Sequence, residues 1–299
     1  MASFRARIVN RLLFLTGTKN LFSNPDQTSD KLAKLRAKGP DLPSGGFRKK
    51  YAVVESEHDG FAVYTVAPKD PHQSNCKHVL YFHGGGYVLD IAWVHWNFIG
   101  RLIDATGVTV TVPIYPLAPE YKCATTIPSM ISLFEKLAAA QGADNITAMG
   151  DSAGGGMALV LAHKLRDADK PMPEKLVLLS PWLDATANEP IQLELEKKDP
   201  LIAVSGLRSF GQQYAGELGI DDPGISPLFG THQQLPPIQM FAGSADVLLP
   251  DARRFQDRLT EAGGVVEYHE YEDMFHVWML IAIPEGKRVM QQISAFMRS

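Results

Sequence analysis

The chain reads as an α/β protein, a mainly parallel sheet with helices on both faces. Three observations predict this. Short apolar runs suited to buried strands alternate with longer stretches of helical period. The 299 residues, 45% of them hydrophobic, suffice for one large core with an insertion and are marginal for two separate domains. A polar interval from Ala185 to Leu235 breaks the alternation and reads as a segment lying over a site.

The elements follow in order. In Met1 to Phe22, three arginines (Arg5, Arg7, Arg11) precede only four consecutive apolar residues, too few for a signal peptide. Phe4, Ile8, Leu12 and Leu15 share one helical face, so this segment is expected to be an amphipathic helix that packs over the body of the protein, with membrane binding the less favoured alternative. Residues 23–48 are rich in turn formers, with only Asp30 to Lys38 helical, and suit a connector or part of a mobile lid. Tyr51–Glu57 and Phe61–Ala67 are strands of a hairpin closed at Asp59-Gly60. Val79–Phe82 is a strand, Trp93–Ala105 a helix, Val108–Ile114 a strand and Thr126–Ala140 a helix. Ile146–Met149 leads into a glycine-flanked turn and the small-residue helix Ala153–Arg166. Leu176–Leu179 and Ile238–Phe241 are buried strands, Asp251–Ala262 an amphipathic helix, Val265–Tyr271 a strand and Val289–Met297 the closing helix.

Composition narrows the function. A net charge of −4 gives no sign of a nucleic-acid or anionic-surface partner. Two cysteines, Cys76 and Cys123, are too few for a disulfide framework and suit a cytoplasmic protein with reduced thiols. Neither cysteine lies among histidines at ligand spacing, so no metal and no cofactor are expected. No stretch is apolar for long enough to span a bilayer.

Two motifs carry chemistry. His83-Gly84-Gly85-Gly86 follows one buried strand and offers bare backbone N–H groups to a developing oxyanion. Gly150-Asp151-Ser152-Ala153-Gly154-Gly155 follows another and sets a serine on a sharp strand-to-helix turn, which flanking glycines relieve of collisions. A serine that merely caps a helix is the bland alternative. A serine hydroxyl needs a base, and His276, on the loop after the last strand, is the best placed of nine histidines. His83 suits a role in shaping its loop. The imidazole needs a carboxylate. Asp246 lies just past Ile238–Phe241, with Asp184 a competing choice; Asp273 is too near in sequence, and Asp151 and Asp199 look like loop-fixing residues. The order Ser, Asp, His is that of an α/β hydrolase. Tyr87, Trp93 and Trp278 could narrow a substrate pocket, although core packing is the commoner fate of such aromatics.

These motifs, with Tyr115-Pro116-Leu117-Ala118-Pro119-Glu120 and Asp246-Val247-Leu248, make residues 50–299 resemble the hormone-sensitive-lipase-like branch of the α/β-hydrolase esterases. The resemblance implies an eight-stranded, mostly parallel sheet. It implies a cap made of N-terminal helices in residues 1–48 and of the insertion at about 185–235, with residues 49–299 as the catalytic domain. It implies Ser152, Asp246 and His276 as a triad, and the N–H groups of Gly84, Gly85 and Ala153 as an oxyanion hole. The expected partner is a small, short-chain carboxylic ester, and a homodimer through an edge strand is expected by the same resemblance. An acyltransferase or amidase would share the acyl-enzyme, and a non-catalytic small-molecule receptor is the reading from another class. The chain departs from the family in two places: Val277 stands where glycine usually follows the histidine, and Pro116 where arginine is usual.

Overall fold

The computed structural model describes residues 2–17, 19–20 and 32–299. Its centre is one eight-stranded sheet: β1 (Tyr51–His58), β2 (Phe61–Pro68), β3 (His78–Phe82), β4 (Thr109–Pro113), β5 (Ile146–Asp151), β6 (Lys175–Leu179), β7 (Ile238–Gly243) and β8 (Val266–Tyr271). The spatial order is β1-β2-β4-β3-β5-β6-β7-β8. Pairing is antiparallel from β1 to β2 and from β2 to β4, and parallel from β4 onward.

Alternation along the strands makes the two faces. In β3, Leu80 points into one core while Val79 and Tyr81 point into the other; in β6, Leu176 and Leu178 oppose Val177 and Leu179. The first core is covered by α4 (Cys123–Gln141), α5 (Ala153–Asp167) and α8 (Leu249–Glu261), and the second by α3 (Trp93–Thr106) and α9 (Pro284–Phe296). With both faces buried, the central strands are mostly apolar on both sides, which is why they read as nearly continuous runs. The last helix begins five residues before the expected Val289, because Pro284 occupies its first position, where a missing N–H costs nothing.

The interval between β6 and β7 holds α6 (Gln192–Glu196) and α7 (Val204–Ala215). Phe210 of α7 lies against Gly86, and Tyr214 stacks on Tyr87 with ring centroids 3.8 Å apart. This segment therefore sits directly on the glycine loop that follows β3. A short helix α2 (Gly45–Lys50), capped by Ser44, leads into β1. Of the expected helix Asp30 to Lys38, residues 32–36 are helical; residues 30 and 31, with 23–29 of the expected connector and 21–22 of the N-terminal segment, lie outside the described residues.

Helix α1 (Phe4–Thr16) corrects the sequence expectation. The face expected to pack, Phe4, Ile8, Leu12 and Leu15, is exposed. Contact with the body runs instead through buried Ala6 and partly buried Val9 and Leu13. Small Ala6 lets the helix approach closely. Ser3, the N-cap, is anchored by Glu285: its N–H and hydroxyl donate to the carboxylate at 2.6 and 3.0 Å. Lys19 bonds the backbone carbonyls of Glu196 and Asp199, tying the N-terminal segment to the loop before α7.

Candidate active site

Parallel strands deliver their following loops to one edge of the sheet. The loops after β3, β5, β7 and β8 meet there. Ser152 joins β5 to α5 with φ 52° and ψ −120°, a conformation that side-chain-bearing residues rarely adopt. Its turn is tolerated because a Cβ at Gly150 would collide with the backbone of Gly154, and one at Gly154 with the carbonyl of Phe82.

The structure brings Ser152, His276 and Asp246 together from positions far apart in sequence. Ser152 Oγ lies 2.9 Å from His276 Nε2. His276 Nδ1 lies 3.1 and 3.2 Å from the two carboxylate oxygens of Asp246. All three side chains are buried, Ser152 with 8% of its surface exposed. Burial alone would push the imidazole pKa down. The charge and hydrogen bond of Asp246, with Asp199 and Asp151 behind it, outweigh burial and hold it above the ordinary histidine value. In the tautomer that donates from Nδ1 to Asp246, Nε2 is an acceptor aimed at the serine hydroxyl.

The acids sort by their partners. Asp246 also accepts from the Leu248 N–H at 2.9 Å, which orients it toward the ring. Asp184, the competing choice, is taken up by Thr186 and Arg254. Asp273 sits on the turn and accepts from the Ala2 N–H. Asp199 is fully buried beneath the triad: one oxygen accepts from Leu201 and Ile202 N–H, the other from Val247 N–H at 3.2 Å. Burial first, and the Asp246 charge second, push its pKa up to about 7.

The glycine loop requires one correction. The Gly84 N–H donates to Asp151 Oδ1 at 3.0 Å and so is not free for an oxyanion. That carboxylate also accepts from Tyr81 Oη at 2.5 Å, and its other oxygen lies 3.4 Å from His95 Nε2. Gly85 and Gly86, both at positive φ, carry the N–H groups left over, and Ala153, at the first position of α5, has no intrahelical acceptor. Gly86 lay within the quoted motif without an assigned role. The signal available was the acid at 151, whose carboxylate takes the first glycine amide. His83 is buried, stacks on Tyr115 at 4.2 Å and bonds the Gly84 carbonyl at 2.7 Å; burial lowers its pKa to about 3, so it stays neutral.

The three aromatic pocket candidates separate. Tyr87 is buried in the first core between Trp182 and Tyr214, and Trp278 is buried in the second core beside Tyr271. Neither lines the cleft beside α1. Trp93 does: with Ile8, Leu42 and Phe47 it borders an apolar cleft of about 1240 Å³ between α1, α2, α3 and residues 277–283. Val277, next in sequence to His276, and Leu201, two residues after Asp199, stand in its wall, whereas Ser152, His276 and Asp246 do not. Val277 itself adopts φ 49°, ψ 30°, the left-handed region that explains why glycine is usual there. Its N–H donates to Ser180 Oγ at 3.3 Å.

Chemically, a buried hydroxyl on an imidazole that is itself held by a carboxylate, next to unspent amides at a helix N-terminus, is equipped for nucleophilic attack at a carbonyl.

Comparison with known proteins agrees with this chemistry. A family model for the alpha/beta hydrolase fold matches residues 79–280. A triacylglycerol lipase of Mycobacterium tuberculosis is 32% identical over 230 residues, 77% of this chain and 47% of that protein. The chain thus spans about half the length of that lipase. An acetyl-hydrolase of Streptomyces hygroscopicus is 31% identical over 233 residues, 77% of this chain and 78% of that protein. A crystal structure of a hormone-sensitive lipase from a metagenome library superposes with a TM-score of 0.84 at 26% identity, covering 98% of this chain and 97% of that one.

Proposed function

The chain belongs to the α/β-hydrolase family and is a carboxylic ester hydrolase of its hormone-sensitive-lipase-like branch, and from that premise we propose that Ser152, His276 and Asp246 carry the reaction through an acyl-enzyme. Ser152 Oγ attacks the ester carbonyl carbon as His276 Nε2 takes the hydroxyl proton. Asp246 holds the imidazole and stabilises its charged form. The oxyanion is received by the N–H groups of Gly85, Gly86 and Ala153, each such donor worth about 3 kcal/mol in the barrier. Collapse breaks the ester C–O bond, and the alcohol leaves with the proton from His276. Water, deprotonated by the same nitrogen, then releases the acid and restores the serine.

The observation that carries this reading is the 2.9 Å contact between Ser152 Oγ and His276 Nε2. The burial of Ser152, a residue only 8% exposed, supports short acyl groups. Ser152→Ala is expected to lower kcat on p-nitrophenyl acetate by about 10⁴-fold or more with an unchanged circular-dichroism spectrum. A fluorophosphonate is expected to label the wild type and not the variant. A variant that keeps near-wild-type turnover removes Ser152 from the mechanism.

The insertion carrying α6 and α7, with the N-terminal helices, serves as the cap in this reading, supported by the contact of Phe210 with Gly86. A homodimer would pair at β8, which ends the sheet; the mass of a single chain in light scattering would exclude it. A cytoplasmic location is part of the same proposal, with Cys76 and Cys123 both free.

A further inference from the structure

We propose that α1, with the adjoining rim of the cleft, is a docking surface for an anionic phospholipid bilayer. Phe4, Ile8, Leu12, Phe14 and Leu15 of this one helix are exposed, Phe4 by 71% and Leu15 by 82%. Across the cleft, Leu42 and Trp93 are exposed as well. Of the thirteen large apolar side chains exposed among the described residues, seven lie on this face. Single exposed apolar side chains are ordinary, whereas such a concentration marks an interaction surface.

Charge identifies the occupant. Residues Phe4–Thr16 hold Arg5, Arg7 and Arg11 and no acidic residue, in a chain whose net charge is −4. None of these three guanidinium groups has an ion-pair partner among the described residues. Basic side chains interleaved with phenylalanine and leucine suit the boundary of headgroups and acyl chains, where long cationic stems snorkel to phosphate. A second copy of the chain would set the same cations against each other across a two-fold contact. Thirteen residues of helix span about 20 Å, short of a bilayer core, so the helix lies in the interface plane. Ser3 on Glu285, buried Ala6 and Lys19 on the Glu196 and Asp199 carbonyls fix its attitude to the body. Ile8 belongs both to the exposed face and to the cleft wall, so a bilayer docked on α1 covers the mouth of the cleft.

The full chain is sedimented with phosphatidylcholine vesicles alone and with vesicles containing about one third phosphatidylglycerol. Binding to the mixed vesicles, weak binding to phosphatidylcholine alone and release by about 0.5 M salt are expected. Arg7→Gln with Arg11→Gln is expected to weaken partitioning about 25-fold, about fivefold per charge. Phe4→Ser with Leu15→Ser is expected to weaken it on both vesicle types by about tenfold or more. Hydrolysis of soluble p-nitrophenyl acetate stays unchanged in both double variants, which separates a failure of docking from a failure of the catalytic reading. Absence of wild-type binding to the mixed vesicles overturns the proposal, as does wild-type binding by either double variant. Light scattering that shows a dimer dissolved by Phe4→Ser with Leu15→Ser also overturns it and assigns the face to a second copy.

Discussion

The serine side and the histidine side of the site solve one geometric problem in opposite ways. Each places a side-chain-bearing residue at positive φ, Ser152 at 52° and Val277 at 49°. Around Ser152 the crowding is relieved by neighbouring glycines, whose missing side chains let β5, α5 and the end of β3 close on one another. Around Val277 the relieving glycines are distant in sequence, Gly243 against the Met274 carbonyl and Gly286 against the Ile281 carbonyl, none flanks the residue, and a β-branched side chain bears the left-handed conformation itself, at a cost of about 1–2 kcal/mol. Its hydrogen bond to Ser180 and its place on the cleft wall help to offset that cost. Strain is thus spread over a glycine-rich motif on one side and concentrated in one residue on the other.

The contrast is open to test. The largest effect is expected on the serine side. Gly154→Ala drives a methyl group into the Phe82 carbonyl, which should cost about 3 kcal/mol in urea unfolding. The accompanying shift of Ser152 should lower kcat/KM by about 100-fold. Near-wild-type behaviour would mean the turn has slack and the contrast is false.

An intermediate effect is expected beneath the triad. Asp199→Asn removes a carboxylate that holds the His276 pKa up, so the acid limb of the kcat/KM profile should move to lower pH. The stability sign follows from linkage. Asp199, with a folded pKa of about 7, and His276, raised above its ordinary value, both keep protons that the unfolded chain has released. Their contribution to stability therefore falls as pH rises, for Asp199 from about 4 through 7 and for His276 from about 6.5 upward. The variant should flatten that fall, while losing about 1 kcal/mol from the backbone N–H groups it no longer fully satisfies. An unmoved acid limb would show that Asp199 only holds its loop.

The smallest effect is expected at Val277→Gly. Relief of about 1–2 kcal/mol of left-handed strain is opposed by about 1 kcal/mol of added chain entropy. The melting temperature should shift by only a few degrees, and hydrolysis of longer acyl esters should gain relative to acetate as the cleft wall recedes. A loss as large as that of Gly154→Ala would erase the difference between the two sides.

The same contrast explains what was legible in the sequence. Central strands buried on both faces read as apolar runs, and the glycines around Ser152 mark a turn that leaves few alternatives. Ser152, His276 and Asp246 follow because each sits just past such a run. The oxyanion donors were harder, since which amide Asp151 consumes depends on how two loops meet across β3 and β5. Tyr87 and Trp278 misled because nearness in sequence to Gly86 and His276 says nothing of direction: both rings turn into the cores. The apolar stripe of α1 was visible, but not which side it faces, because Ala6, Val9 and Leu13, which make the contact, form a second apolar stripe on the same helix.

Asp151 gives the site a property beyond alignment. One carboxylate grips the Gly84 amide, the Tyr81 hydroxyl and the His95 ring at the root of the serine turn. In the proposed mechanism, nucleophile and anion cradle are thereby mounted on a single bracket. Thermal motion that displaces one carries the other with it, so breathing of the overlying helices can admit or release substrate without retuning the gap across which the bond is made.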